Sequence, residues 1–323
     1  MGEQLVKKIA TIDERKAFSK ALLQDIKALD FMLRDSLFEK GIQRIGAEQE
    51  LCLVDRDFNP SFKGPDILSN IRAPQYTTEL ARYNLEINLD PSVLENKCFS
   101  ETEAHLRNFL QMGAEACHHY RNKILLTGIL PTIRMVHLKP EFMSPAMRYK
   151  ALSDSFFHLR GGDFEINLQG VDELIAALDS VLFEACNTSF QLHLQIDPED
   201  FVAQYNWAQA IAGPILAIST NSPLLMGREL WNETRIALFK QSLDTRSSRN
   251  QLRDKTPRVY FGNRWIKDSV ADIFKNQITR FASVITDEIG EDSMAMLSSG
   301  KLPWIMLLIC AVNAAICHPA PVS

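Results

Sequence analysis

Glu48 and Glu50 stand two residues apart in RIGAEQELCLV, Arg44 to Val54, a run whose other positions read as a half-buried strand. Side chains at i and i+2 of a strand share one face and lie roughly 7 Å apart. Two carboxylates so placed repel each other unless they hold protons or a cation. The same pattern recurs. YNLEINLDP sets Asn84, Glu86 and Asn88 against Leu85, Ile87 and Leu89. SFQLHLQI sets Gln191, His193 and Gln195 against Phe190, Leu192, Leu194 and Ile196. DFEINL sets Asp163, Glu165 and Asn167 against Phe164, Ile166 and Leu168. A solvated antiparallel sheet also shows polar residues on one face. These faces, however, carry acceptors that β-propensity disfavours, and almost no Lys or Arg. Such a set suits a hard divalent cation, Mg²⁺ or Mn²⁺, with a lone imidazole acceptable to the latter. Metals on carboxylates commonly hold nucleotide phosphates. No GxxxxGK[ST] loop and no GxGxxG after a strand is present, so ATP would be held without a P-loop. Gln49 is out of keeping: it points to the face opposite the two glutamates.

These residues need elements to position them. Thr11-Ile-Asp-Glu14 is a capping box opening an amphipathic helix over 13–39, with Leu22, Ile26, Leu29, Leu33 and Leu37 on its apolar side and Gly41 as its stop. A breaker-rich loop spans 57–74. Ser100-Glu-Thr-Glu103 is a second capping box, for a helix running to Arg121. KILLTGILP reads as a buried strand, FFHLRGGDFEINL as a hairpin around Gly161-Gly162, and 171–185 as a helix. Further helices are expected over 198–212, 229–243 and 267–287, with a short strand at 258–262. The fold class is therefore α+β: a curved, mainly antiparallel sheet with one polar face and helices packed on the other.

The bulk numbers agree. The chain has 323 residues, 46% of them hydrophobic and 23% charged, which suits a soluble globular protein with a sizeable core. A formal charge of -5 argues against a general nucleic-acid binder and leaves room for local basic patches. The start, MGEQLVKK, has no apolar h-region and so reads as no secretory signal. The six cysteines lack zinc spacing or a CxxC pair, which suits reduced thiols in a cytoplasmic protein.

Taken in order, the motifs resemble the glutamate–cysteine ligase type 2 family of carboxylate–amine ligases, which share a glutamine-synthetase-like catalytic fold. Gly46-Ala-Glu48-Gln-Glu50 matches the family's GxExE strand, and Glu79 and Glu86 in TTELARYNLEINLDP its second acidic strand. Arg148-Tyr149 matches the "RY" ahead of the central helix, and Phe190-Gln-Leu-His193-Leu-Gln195 the F-x-x-H-x-H/Q strand. The most specific piece is Ala217-Ile-Ser-Thr-Asn221-Ser222-Pro223 through Gly227-Arg228, followed by Arg235 and by Arg258 in TPRVYFG. The resemblance runs from about residue 44 to 285. It implies Mg-ATP over a carboxylate-lined sheet, phosphorylation of a glutamate-like carboxylate, and capture of the acyl phosphate by cysteine, as in glutathione biosynthesis, or by another amino compound. It implies Glu48, Glu50, Glu86 and His193 as metal ligands, with Glu79 and Gln195 as weaker candidates. It implies Glu50, Arg235 and Arg258 in catalysis, Glu48, Asn221, Ser222 and Arg235 at ATP, and Arg148, Tyr149 and Arg258 at substrate.

The sequence departs from that pattern twice. The segment 156–169 and its helix read as an insertion ahead of the His193 strand, where Asp163 and Glu165 would join the site rim or form a solvated edge. After Lys301 the text becomes KLPWIMLLICAVNAAICHPAPVS, nearly without charge, where the family has a further acidic strand. Its apolar run of about 15 residues falls short of the roughly 20 that span a bilayer. Residues 1–300 thus read as one ligase-like domain and 301–323 as an atypical tail: a buried terminal segment, a truncation or an altered frame. An exposed tail of this kind would favour homo-oligomers. The leading function is an ATP-dependent carboxylate–amine ligase. The alternatives are a nucleotide- or amino-acid-binding module of the same fold and a metal-dependent phosphohydrolase.

Overall fold

The computed structural model describes residues 11–246, 256–262, 264–281 and 289–303. It is an α+β protein with antiparallel sheets. At its centre is β1, Arg44–Val54. One edge of β1 pairs with β3 (Asn84–Val93), which in turn pairs with β2 (Tyr76–Thr78). The other edge is shared: β4 (Lys123–Leu125) lies along Cys52–Val54, and β7 (Phe190–Leu194) along Ile45–Gln49. The β1–β3 register slips between Ile45 and Ala47, where Asp90 and Pro91 of β3 stand opposite the single Gly46, a bulge in β3.

Period-two alternation sorts the two faces. Ala47, Leu51, Leu53, Leu85, Ile87 and Leu89 form a core with α2 (Gly64–Leu68) and α3 (Cys98–His119), into which Leu106, Phe109 and Leu110 pack. A Cβ on Gly113 of α3 would come within 2.2 Å of the Tyr76 hydroxyl, which donates to the Phe109 carbonyl. Gly113→Ala is therefore expected to lower unfolding free energy by about 1–3 kcal/mol through overpacking, measurable by denaturant titration. A wild-type midpoint would show that the helix and sheet can separate freely there. A larger core covers the far end of the polar face. It joins Cys52, Val54 and Tyr83 to Ile129, Leu130, Phe156, Phe164, Ile166, Leu182 and Phe183. The glutamates thus sit where the polar face runs beneath this second core. A third cluster, Phe18, Leu22, Ile26, Leu29 and Ala271, holds α1 (Ile12–Arg34) against α7 (Ala271–Arg280). The short helix α8 (Ser293–Ser298) also packs on α1.

Several expectations are corrected. α1 has its capping box but stops at Asp35: Ser36 takes the left-handed conformation, and Leu37 N–H reaches the Met32 carbonyl in a Schellman turn. Leu37 is consequently exposed. α3 begins at Cys98, so Ser100 lies inside its first turn and caps nothing. FFHLR is the end of α4 (Met147–Arg160), whose Tyr149, Ser153, Phe156 and Arg160 are buried at helical spacing and whose C-cap is Gly161 at φ +76°. The hairpin lies one element later, between β5 (Phe164–Gln169) and β6 (Glu173–Leu178). Over 171–185 a helix gives way to β6 and a 3₁₀ turn, Val181–Cys186. The buried strand expected from KILLTGILP is only three residues long.

α5 extends over Phe201–Ile218 with Pro214 inside it. The hairpin β8 (Leu224–Leu225) and β9 (Arg228–Glu229) turns through Met226 and Gly227, both at positive φ. It delays α6 to Thr234–Ser242. Residues 258–262 form no strand. The apolar side of β7 is uncovered, with Phe190, Leu192 and Leu194 at 45%, 43% and 37% exposure, where packing on long helices was expected. Among the described residues no helix is long and apolar enough to cross a membrane. The tail beyond Pro303 and the end of the helix expected to 287 lie outside the described residues.

Candidate active site

Register places the acidic residues. Glu50 of β1 is the direct cross-strand partner of Glu86 of β3, and Glu48 that of Asn88. Glu79 arrives from the turn between β2 and β3. One oxygen each of Glu50, Glu79 and Glu86 lies within 4.8 Å of the others. On the other edge, His193 pairs with Gly46 and Gln191 with Glu48. His193 Nε2 lies 3.5 Å from Glu48 Oε1. The floor is thus a three-carboxylate group with a Glu48–His193 pair beside it.

Hydrogen bonds fix the orientation of these groups. Glu50 Oε2 accepts from the Ser189 backbone N–H at 2.6 Å and from its hydroxyl at 3.0 Å. Glu86 Oε1 accepts from Thr77 Oγ1 at 3.2 Å and Asn88 Nδ2 at 2.5 Å. Gln49, turned to the opposite face, donates to the carbonyls of Glu50 at 2.6 Å and Ser189 at 3.3 Å. It therefore ties β1 to the segment entering β7, which accounts for a polar residue on the apolar side.

The electrostatics follow from burial and repulsion. Burial, then Glu184 and Glu86, pushes Glu50 up to about 8 against the pull of the Ser189 donors. Glu79 is driven well above the usual carboxylate range by burial, then by Glu50 and Glu86. Burial and Glu86 raise Glu48, while His193 pulls it down. Glu184, on the 3₁₀ turn, is pushed up to about 7 by burial. Tyr83, whose hydroxyl donates to the Ala185 carbonyl at 3.0 Å, anchors that turn. Without a cation, Glu50 keeps its proton up to about pH 8, and Glu79 keeps its own well above the usual carboxylate range.

The donors fit Mg²⁺ or Mn²⁺. They are carboxylate oxygens with one imidazole beside them, the ligand set of hard cations. Asn84, on the same face across from Cys52, is 3% exposed, and its Oδ1 has no hydrogen-bond partner among the described residues. A buried acceptor in that state is expected where a cation or its water completes the shell.

The remaining candidates fall into separate groups. Arg148 and Tyr149, at the start of α4, lie at the Glu79 edge. Arg148 stacks 4.5 Å over the Tyr149 ring and donates to its hydroxyl, which donates to the Thr78 carbonyl at 2.6 Å. Burial, then Glu79, pushes that hydroxyl up to about 12. Asn221, Ser222 and Arg235 gather around Glu233. Both Glu233 oxygens accept from Arg235, Ser222 Oγ donates to Glu233 at 3.0 Å, and the Asn221 N–H faces it at 3.4 Å. Arg258 is buried, 5.8 Å from the Phe156 ring and 5.2 Å from that of Phe281, and burial lowers its pKa to about 10. Gln195 is drawn away from the floor into a network with Arg44 and Glu39. Asp163 and Glu165 lie on the hairpin side, Glu165 lining a separate polar cleft with Arg160, Trp231 and Arg246. Sequence reasoning did not find Glu184, Ser189 or Glu233. Only the last gave a signal, two residues before an expected anion-binding arginine.

Among solved structures, the chain is similar to a glutamate–cysteine ligase (gshA) of Francisella tularensis in complex with AMP. The identity is 12% and the TM-score 0.38, over 70% of this chain and 46% of that one. It thus spans under half the length of that ligase. None of the curated proteins matches. The family model described as glutamate–cysteine ligase family 2 (GCS2) matches residues 44–255, a span that contains the whole carboxylate floor and the Glu233–Arg235 pair. The chain belongs to glutamate–cysteine ligase family 2.

Proposed function

We propose that the chain is an ATP-dependent carboxylate–amine ligase that forms a γ-glutamyl-type amide through an acyl phosphate. The observation that carries this reading is the carboxylate group Glu50, Glu79 and Glu86, drawn together within a family of ligases. Glu48, Glu50, Glu79 and Glu86 would hold Mg²⁺ or Mn²⁺, with His193 beside Glu48. The metal would neutralise triphosphate charge as it develops in phosphoryl transfer.

The chain's own groups have definable parts. Ser189 holds Oε2 of Glu50 with two donors, which leaves Oε1 as the oxygen that would meet a cation. Arg148, stacked on Tyr149 beside Glu79, supplies a cation at the edge of the floor, suited to the carboxylate of a glutamate-like substrate. Arg258, buried against Phe156 and Phe281, would be a second cation for that substrate carboxylate. The larger core beyond Cys52 and Val54 excludes water from one end of the floor, which strengthens every charge interaction there. An amine, cysteine or another amino compound, would then displace phosphate from the acyl group.

Isotope transfer tests the acyl phosphate. With ¹⁸O in the substrate carboxylate and Mg-ATP, the reading predicts ¹⁸O in the released phosphate. Unlabelled phosphate would mean that no carboxyl oxygen attacks phosphorus.

A further inference from the structure

We propose that Ser189 is a positioning residue for Glu50, and that the Glu233–Arg235 pair acts as its buttress rather than as a free anion clamp. The inference rests on the reading that the floor takes a divalent cation.

Ser189 is joined to Glu50 on three sides. Its N–H and its hydroxyl both donate to Glu50 Oε2, at 2.6 and 3.0 Å, and its carbonyl accepts the Glu50 backbone N–H at 3.0 Å. A carboxylate with one oxygen bound by two donors cannot rotate without breaking both, so the other oxygen has a fixed aim. Hydrogen bonds to a charged group are the stronger kind, and a second donor adds direction.

The segment that carries Ser189 has little support of its own, since it enters β7 from the irregular stretch after the 3₁₀ turn. Arg235 provides that support. Its Nη1 donates to the Thr188 carbonyl at 2.8 Å, while Nε and Nη2 are both taken by Glu233. All three guanidinium nitrogens are thereby engaged, and Glu233 already supplies the opposite charge. From the other side, the Thr188 N–H donates to the Gly128 carbonyl at 2.9 Å, and its hydroxyl donates to the Thr127 carbonyl. Gly128 must be a glycine here: a Cβ would stand 2.9 Å from Arg235 Nε and 2.7 Å from the Asn221 carbonyl oxygen. A continuous path thus runs from Glu233 through Arg235, Thr188 and Ser189 to Glu50. Three of the five Arg235 N–H donors are thus spent, and a phosphate would meet a guanidinium that Glu233 already neutralises.

The test uses the full chain and Mn²⁺ alone, with free Mn²⁺ read by electron paramagnetic resonance and thermal melting recorded without metal. Ser189→Ala is expected to weaken Mn²⁺ binding about tenfold, the size of an orienting partner's loss, with the melting midpoint unchanged. Ser189→Thr keeps the hydroxyl and is expected to stay within about twofold of wild type. Arg235→Lys is expected to weaken binding of Mn²⁺ alone, because an ammonium cannot span Glu233 and the Thr188 carbonyl as a planar fork does. Wild-type affinity in Ser189→Ala, or an equal loss in Ser189→Thr, would overturn the positioning role. An Arg235→Lys protein that binds Mn²⁺ normally but needs more ATP would make Arg235 an anion clamp and overturn the buttress. If the wild-type chain takes up no Mn²⁺, the cation reading itself fails, and the inference with it.

Discussion

Glu50→Gln is expected to weaken Mn²⁺ binding and ATP turnover together by at least about a hundredfold, while leaving the metal-free protein as stable as wild type or more so at pH 8. The two halves have one cause. Glu50 faces Glu86 across the β1–β3 register and has Glu79 within 4.8 Å, so burial and repulsion keep its proton on up to about pH 8. A glutamine resembles that protonated state in shape and charge, and its carbonyl oxygen can still accept from the two Ser189 donors. Folding therefore loses nothing, and above pH 8 the substitution removes repulsion. A cation, by contrast, needs the negative charge that only the glutamate supplies. Calorimetry with Mn²⁺ and a melting curve on the same sample separate the effects. A Glu50→Gln protein that binds Mn²⁺ normally would remove Glu50 from the floor.

Metal-free stability is expected to fall as pH rises from about 5 to about 8, and Mn²⁺ is expected to reverse that fall. Glu50 has a folded-state pKa of about 8 against an ordinary 4.5, and Glu184 about 7. Glu79 is shifted in the same direction. Between the ordinary and the raised values, the folded chain binds more protons than the unfolded one. Stability then declines with pH, because its slope follows the unfolded-minus-folded proton count. The contribution is complete below about pH 4.5 and is lost as pH passes through the raised values. A bound cation displaces those protons, so its stabilisation grows over the same interval. Melting midpoints at pH 5 and pH 8, with and without Mn²⁺, check this. A metal-free midpoint that climbs between those values, or an equal Mn²⁺ effect at both, would count against a protonated carboxylate floor.

The parts of the site legible in the sequence were those on strands. Alternation with period two decides which face a side chain takes, so Glu48, Glu50 and Glu86 could be assigned to one surface, and His193 to the strand beside them. Residues carried by turns leave no such trace. Glu79 lies between two strands and was reached only as a weaker candidate through the family resemblance, while Glu184, between buried Phe183 and Ala185, and Ser189, in the irregular stretch before β7, were not reached. Their common surroundings exist only after folding. The element errors share a cause. Gly161-Gly162 looks like a hairpin turn, but Gly161 ends a helix in the left-handed conformation. ELIAAL of β6 is composed largely of good helix formers, yet it is a strand because β5, with Phe164, Ile166 and Leu168 turned into the core, takes it as a partner through Glu173↔Gln169 and Leu174↔Leu168.

Steady-state ADP release from Mg-ATP, with amino acids supplied singly and in pairs, tests the central claim most directly. If these carboxylates serve a carboxylate–amine ligase, ADP accumulates only when a carboxylic acid and an amine acceptor are both present, and Glu50→Gln abolishes it. ADP formed with neither substrate, or none across a broad panel of amino acids, would contradict that function.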